Sequence, residues 1–361
     1  MPDIQTIQKN LGPALLPLGA LYARLMRLRR WAYESGTLAA WRPNCPVVSV
    51  GNIGWGGSGK TPLCGHILRW AGKREEHAVV LTRGYGARPR RLPLLVARTA
   101  DPAHCGDEPL LLARSHPLAR VVVDPARSRS GPWAYERFDP DFVLLDDGFQ
   151  HLPVARDIDL VLLTPADLGA GWNRVFPAGS WREGERALRR AAAFLIKCPP
   201  EADLEAAVNA RLERYDRPVY AFSLRPRGLM RLDGTARAAD LGGEDYLVAT
   251  GIADPAQAAA TAEKLLGRAP RQVLSFADHH AFAPADLVRI QAAAGGAHVV
   301  VTPKDAVKLA RLPGAEGFWS LRTELAFGAM RFTQTPFDDW FGARFRELAE
   351  LYRPLAAREL V

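Results

Sequence analysis

Gly54-Trp55-Gly56-Gly57-Ser58-Gly59-Lys60-Thr61 fits the spacing G-x-x-x-x-G-K-[ST]. That spacing suits phosphate binding. Glycines let successive N–H groups turn inward without a Cβ in the way, the lysine reaches the outer phosphates, and the threonine hydroxyl can meet Mg²⁺. Downstream, Phe142-Val143-Leu144-Leu145-Asp146-Asp147 is an apolar run ending in two carboxylates, a form able to hold Mg²⁺ beside such a loop. Three further groups are chemically suggestive. Gly106-Asp107-Glu108-Pro109 is either an acidic catalytic pair or an ordinary acidic helix start. Thr82-Arg83-Gly84-Tyr85-Gly86 puts an arginine in a flexible turn, which suits an anionic substrate or a plain surface turn. Asp278-His279-His280 fits a tuned base, metal ligands or a structural cluster.

These groups need elements to position them. Pro46 to Val50 reads as a buried strand before the loop, and Pro62 to Ala71 as the helix after it, with proline in its first turn. Short Val/Leu-rich runs recur at 78–82, 120–124, 142–146, 159–163 and 192–197, as expected for strands covered on both faces. They predict a P-loop NTPase-like, doubly wound α/β domain with a mostly parallel sheet and ligands at the strands' carboxyl ends. A second, smaller α/β domain is expected from runs at 246–250, 271–276 and 298–302. An alternating strand at 217–224 enters it, and Phe318-Trp319-Ser320-Leu321 pairs with that strand on the way back. The expected boundaries are an N-terminal helical region at 1–40, the nucleotide domain at 41–215, the smaller domain at 216–330, and a C-terminal helix at 331–361 that packs on the first domain.

At 361 residues, 48% hydrophobic and 24% charged, the chain has the balance of a globular protein of about two domains. Its four cysteines show no C-x-x-C spacing, which argues against a zinc site or disulfide framework. The net charge of +8 favours anionic partners: nucleic acid, anionic lipid or phosphorylated substrates. No uncharged apolar run is long enough to span a bilayer. Near the N-terminus, Leu18, Leu21, Tyr22, Leu25, Leu28 and Ala32 share one helical face, with Arg24, Arg27 and Arg30 on the other and Arg29 out of pattern. Such a basic amphipathic helix lies in a membrane interface or packs on the core with a solvated basic side.

Taken in order, these motifs resemble the tetraacyldisaccharide 4′-kinase family of lipid A biosynthesis. The resemblance rests on Val50-Gly51-Asn52 running into Gly56 to Pro62, then T-R-G-Y-G at 82–86, G-D-E-P at 106–109 and L-D-D-G-F-Q-H at 145–151. It continues through Pro177-Ala178-Gly179, Arg182-Glu183, Gly251-Ile252, Asp278 to Phe282 and Lys304 to Lys308. Pro303 departs from it, standing where the family usually has glutamate.

The resemblance implies ATP-dependent, Mg²⁺-assisted phosphorylation of the 4′-hydroxyl of a tetraacylated glucosamine disaccharide 1-phosphate, giving lipid IVA. It implies a peripheral enzyme on the cytoplasmic face of the bacterial inner membrane, bound to anionic lipid through its N-terminal helix. A monomer with no nucleic-acid partner is expected. Residue by residue, it implies Asp107 as base, supported by His279 from the second domain so that catalysis depends on closure, with Lys60 on the phosphates. Gly54, Gly56, Gly57, Ser58, Gly59, Lys60 and Thr61 would hold the nucleotide. Thr61, Asp146, Asp147, Glu108 and Gln150 are its candidate Mg²⁺ ligands, and Arg83, Tyr85 and Arg182 face the substrate. Two alternatives compete: another P-loop kinase or NTPase with a soluble substrate, and an ATP-switched nucleic-acid-binding protein. Against them, the guanine motif has the wrong spacing at Thr302-Pro303-Lys304-Asp305, L-S-G-G-Q is absent, and so are the basic-aromatic motifs of common nucleic-acid modules.

Overall fold

The computed structural model describes residues 4–352, apart from the side chains of 4–7 and 9–11; the expected C-terminal helical region therefore runs past the described residues at 353–361. The chain forms two compact units. Among the described residues the first holds 4–83, 116–223 and 327–352, and the second holds 84–115 and 224–326.

In the first unit the strand Val47–Asn52 lies between Phe142–Asp146 and Ile158–Leu163, parallel to both. Ala78–Thr82 and Arg120–Val123 extend the sheet one way, Ala193–Lys197 and the start of Val219–Arg231 the other, again in parallel. The inner strands are buried along their full length, so their Val/Leu runs do not alternate. The doubly wound α/β prediction holds. One face packs Ile53, Phe149, Phe194 and Trp181 into a cluster, and the other packs Val79, Leu81, Val143 and Val154. Trp70 of the helix Lys60–Gly72 meets Phe341 and Phe345 of the helix Phe337–Tyr352 edge-on, with ring centroids 4.9 and 5.2 Å apart. Each such aromatic pair adds roughly 0.5–1.5 kcal/mol beyond its burial.

The N-terminal helix spans Ile4–Glu34, longer than the 18–32 pattern predicts, and runs through Pro13 and Pro17. Both prolines are exposed, and each lacks the N–H that would bond the carbonyl four residues earlier. Its inward side is glycine rather than leucine: a Cβ on Gly19 would lie 2.8 Å from the Val175 carbonyl oxygen. Tyr22 and Ala23 pack against the Trp181 cluster, whereas Leu18, Leu21, Leu25 and Leu28 are each more than half exposed. Among the described residues no helix is long and apolar enough to cross a membrane.

The second unit holds Tyr246–Thr250 between Gln272–Ser275 and His298–Val301, all parallel, with Trp319 beside the last. Leu247, Ala249, Val301 and Ile290 centre its core. Two corrections to the expected boundaries follow. The 41–215 domain is interrupted, because residues 84–115 belong to the second unit. There the helix Asp107–Ser115 packs on the helix Pro303–Leu309, and Arg114 donates to the Val307 carbonyl at 3.4 Å. The 318–321 segment does not pair with 217–224 as expected: Phe318 meets Leu232, just past the far end of the same strand. Both strands extend to 13 residues (Val219–Arg231 and Trp319–Arg331) and run antiparallel, so Leu232 N–H donates to Phe318 O and Tyr220 meets Phe327.

Candidate active site

The phosphate loop leaves the strand Val47–Asn52 at the carboxyl edge of the first sheet, and register places Val50 opposite Asp146 on the next strand. Loop and acidic pair therefore emerge side by side. Gly59 sits at the helix start with φ +92°, and a Cβ there would lie 2.9 Å from Phe222 Cζ. Only glycine meets both demands without strain. Lys197 Nζ donates to the Gly57 carbonyl at 3.3 Å and steadies the loop. The helix Lys60–Gly72 begins with no side-chain cap, and the buried Ser58 hydroxyl has no hydrogen-bond partner. A helix start without a side-chain cap, a buried hydroxyl and a lysine suit the oxygens of a phosphate.

Lys60 Nζ lies 3.3 Å from Asn52 Oδ1 and 3.5 Å from Asp147 Oδ1. Arg182 binds Asp147 at 3.0 and 3.2 Å and donates to Gln150 Oε1 at 3.2 Å, while the Gln150 amide donates to the Asn52 carbonyl at 2.9 Å. Burial alone would raise the Asp147 carboxyl, but Lys60, Arg182 and Arg127 outweigh it and hold it below the ordinary carboxylate range. Asp146 is buried and accepts from the Thr82 hydroxyl at 2.8 Å. Thr61, also buried, occupies the first turn of the loop helix. Thr61, Asp146 and Asp147 offer the oxygen donors that Mg²⁺ prefers. Gln150 Oε1 is already engaged by Arg182. Among the described residues no cluster of three or more His, Cys, Asp or Glu could hold a metal by itself, so Mg²⁺ would have to draw further ligands from phosphate and water.

Arg127 was not legible as a site residue. It is buried and donates to the carbonyls of Asp146 and Asp147 at 3.0 and 2.9 Å, fixing a turn in which Asp147 has φ +52°. In sequence it is one arginine among many after a strand. His151 closes the L-D-D-G-F-Q-H run; burial, then nearby arginines, push its pKa down to about 3, which favours the neutral ring. Arg83 is exposed at the end of its strand.

The second unit brings together another set at its own sheet edge. Asp278-His279-His280 follows the strand Gln272–Ser275, and Thr302 to Lys308 follows His298–Val301. His279 takes φ +58°, with its N–H donating to the Gly251 carbonyl at 3.1 Å. Its Nδ1 donates to Asp107 Oδ2 at 3.3 Å, and Lys308 Nζ lies 3.4 Å from the same oxygen. Burial alone would raise the Asp107 carboxyl; the His279 hydrogen bond and the Lys308 charge outweigh it and keep it ionised. Reciprocally, the Asp107 hydrogen bond raises His279 above its ordinary value. Tyr85, largely exposed, has its ring 6.0 Å from that of His279.

His280 is engaged differently. It stacks on Phe276 and bonds Asp286 at 2.9 Å, a packing role. Glu108 is ion-paired with Lys304, and both belong to the second unit, whereas Thr61, Asp146, Asp147 and Gln150 belong to the first. Asp107 and His279 were expected in different domains and lie in the same unit, so their contact exists without any domain closure.

A family model described as tetraacyldisaccharide-1-P 4′-kinase matches residues 11–340. A tetraacyldisaccharide 4′-kinase from Oleidesulfovibrio alaskensis is 51% identical, over 96% of this chain and 98% of the relative. Another, from Nitratidesulfovibrio vulgaris, is 46% identical over 96% and 98%. The crystal structure of an "apo" form of LpxK from Aquifex aeolicus in complex with ATP matches at TM-score 0.74 and 27% identity, covering 94% of this chain and 99% of that one. With a match spanning nearly the whole chain, and with the phosphate seat and the Asp107–His279 pair in place, the chain belongs to the tetraacyldisaccharide-1-P 4′-kinase family.

Proposed function

We propose that the chain transfers the γ-phosphoryl group of ATP to the 4′-hydroxyl of a tetraacylated disaccharide 1-phosphate, the 4′-phosphorylation of lipid A biosynthesis. One observation carries the chemistry: the ionised Asp107 carboxylate, held by His279 at 3.3 Å and Lys308 at 3.4 Å, in a chain that also has a complete phosphate loop. A soluble-substrate NTPase or a nucleic-acid switch is not favoured by the family match.

The first unit would bind the nucleotide. Residues 54–61 supply N–H groups, the Ser58 hydroxyl and the Lys60 ammonium to the phosphates, and Asn52 and Asp147 keep Lys60 extended until phosphate replaces them. Thr61 with Asp146 or Asp147 would hold Mg²⁺, which neutralises charge on the phosphate oxygens. Arg182, on Asp147 and Gln150, and Arg83 would attract the anionic substrate. The second unit would supply the base: Asp107 accepts the proton of the sugar hydroxyl as the bond to phosphorus forms, and His279 orients it. Phosphoryl transfer leans mainly on alignment and charge neutralisation, so a carboxylate held below its ordinary basicity suffices.

The exposed Leu18, Leu21, Leu25 and Leu28, with Arg24 and Arg27 alongside, favour a peripheral seat on anionic lipid at the cytoplasmic face of the inner membrane, where an acylated substrate resides. The test follows label from [γ-³²P]ATP. Transfer to the acylated disaccharide 1-phosphate, lost in Lys60→Ala, is expected; label appearing only in inorganic phosphate would overturn the assignment.

A further inference from the structure

Lys308 is only 7% exposed, an unusual setting for an ammonium group. It projects from the last turn of the helix Pro303–Leu309 over the ring of Phe282, with Nζ 5.3 Å from the ring centroid. No hydrogen bond of good geometry reaches Nζ; two carboxylate oxygens stand 3.4 Å from it instead, Asp107 Oδ2 and Asp305 Oδ1. Asp305 is fully buried and immobilised through its other oxygen, which accepts from the Thr250 hydroxyl at 2.8 Å and the Thr302 hydroxyl at 2.7 Å. Thr250 ends a core strand and Thr302 caps the helix, so Asp305 is fixed to the frame of the second unit.

The groups form a row: Asp305, Lys308, Asp107, His279. Lys308 and His279 both meet Oδ2 of Asp107, and among the described residues no protein group pairs with Oδ1. A buried ammonium persists only where carboxylates compensate it, so its placement here ties two carboxylates to one position.

We propose that Lys308 is a positioning residue for phosphoryl transfer: anchored by Asp305, it holds Asp107 through Oδ2 and leaves Oδ1 as the oxygen that receives the acceptor hydroxyl's proton. This rests on the assignment of Asp107 as base, and the test separates the two. Lys308→Met, assayed by label transfer to the acylated disaccharide 1-phosphate, is expected to lower kcat about 10- to 100-fold, the usual reach of a lost charge-assisted contact. KM for ATP and for the lipid stays within about twofold, since uniform binding is untouched. Lys308→Arg restores most of the rate. In an Asp107→Asn background, Lys308→Met costs nothing further, because the group it positions no longer acts as a base.

A wild-type kcat in Lys308→Met, or an equal loss in the Asp107→Asn background, overturns the positioning role while Asp107 remains the base. A fully active Asp107→Asn overturns the base itself. Nucleotide binding serves as the folding control. Should Lys308→Met not fold, Thr250→Val carries the test: it loosens Asp305 without touching Lys308, and a severalfold fall in kcat at constant KM is expected. An unchanged kcat in folded Thr250→Val overturns the anchoring by Asp305.

Discussion

Removing the His279 imidazole should hurt catalysis far less than removing the Asp107 carboxylate, and the structure sets the ratio. A hydrogen bond to a charged group contributes about 1.5–3 kcal/mol when sheltered. His279 is 41% exposed, so solvent screening reduces that to about 1–1.5 kcal/mol. Lys308, 3.4 Å from the same oxygen, still holds the carboxylate after His279 is gone. At a factor of ten per 1.4 kcal/mol, His279→Ala should lower kcat by about 5- to 12-fold. Asp107→Asn removes the base itself and should cost about 10²- to 10⁴-fold. Both variants should bind ATP normally, because neither residue belongs to the phosphate loop or to the partners of Lys60. The assay is single-turnover transfer of [γ-³²P]phosphate to the lipid acceptor, with ATP affinity measured by calorimetry. A His279→Ala loss as large as that of Asp107→Asn would refute the reasoning, since it would make His279 more than an orienting partner. So would no loss at all.

Other expectations are equally specific. Gly59→Ala forces an alanine into φ +92° and sets its Cβ 2.9 Å from Phe222, so strain and overpacking of about 2–4 kcal/mol should weaken ATP affinity at least about tenfold; unchanged affinity would contradict the loop geometry. The proton on His279 is stabilised by Asp107, so its contribution to stability is full below the ordinary histidine value near 6.5 and fades as pH rises through the raised native value. In an NMR titration the His279 midpoint should lie above 6.5 and fall in Asp107→Asn; a wild-type midpoint at or below 6.5 contradicts the pairing. Replacing Leu21 and Leu25, both 52% exposed, with glutamate should sharply reduce binding to phosphatidylglycerol-containing vesicles while leaving ATP binding intact; undiminished vesicle binding removes the helix from the membrane account.

Much of the frame was legible because each inner strand is buried on both faces and so reads as an uninterrupted apolar run; Phe142–Asp146 and Tyr246–Thr250 fall on the predicted residues. What escaped has a common cause: it depends on contacts distant in sequence. Residues 84–115 look like a loop of the nucleotide domain because they lie between its strands, but the ion pairs of Asp107 and Glu108 with Lys308 and Lys304 tie them to the second unit. The apolar stripe of the N-terminal helix was equally compatible with a core-facing or a membrane-facing role. Gly12 and Gly19 are buried while Leu18, Leu21, Leu25 and Leu28 are exposed, and glycines carry no hydrophobic signal to read. Arg29, the misfit on that stripe, turns to the Gln150 carbonyl at 3.3 Å. Arg127 was hidden because only burial distinguishes it from the many other arginines of the chain, and Lys308, though inside a recognised motif, showed its setting only through burial.

The central claim is phosphorylation of one particular hydroxyl of an acylated disaccharide 1-phosphate. The most direct measurement is ³¹P–¹H correlation NMR on the purified product of a reaction with ATP and Mg²⁺. The account predicts a second phosphate whose phosphorus couples to the proton on the sugar's 4′ carbon, formed by the wild type and not by Asp107→Asn. A phosphate at another position, or a lipid returned unchanged while ATP is hydrolysed, would contradict it.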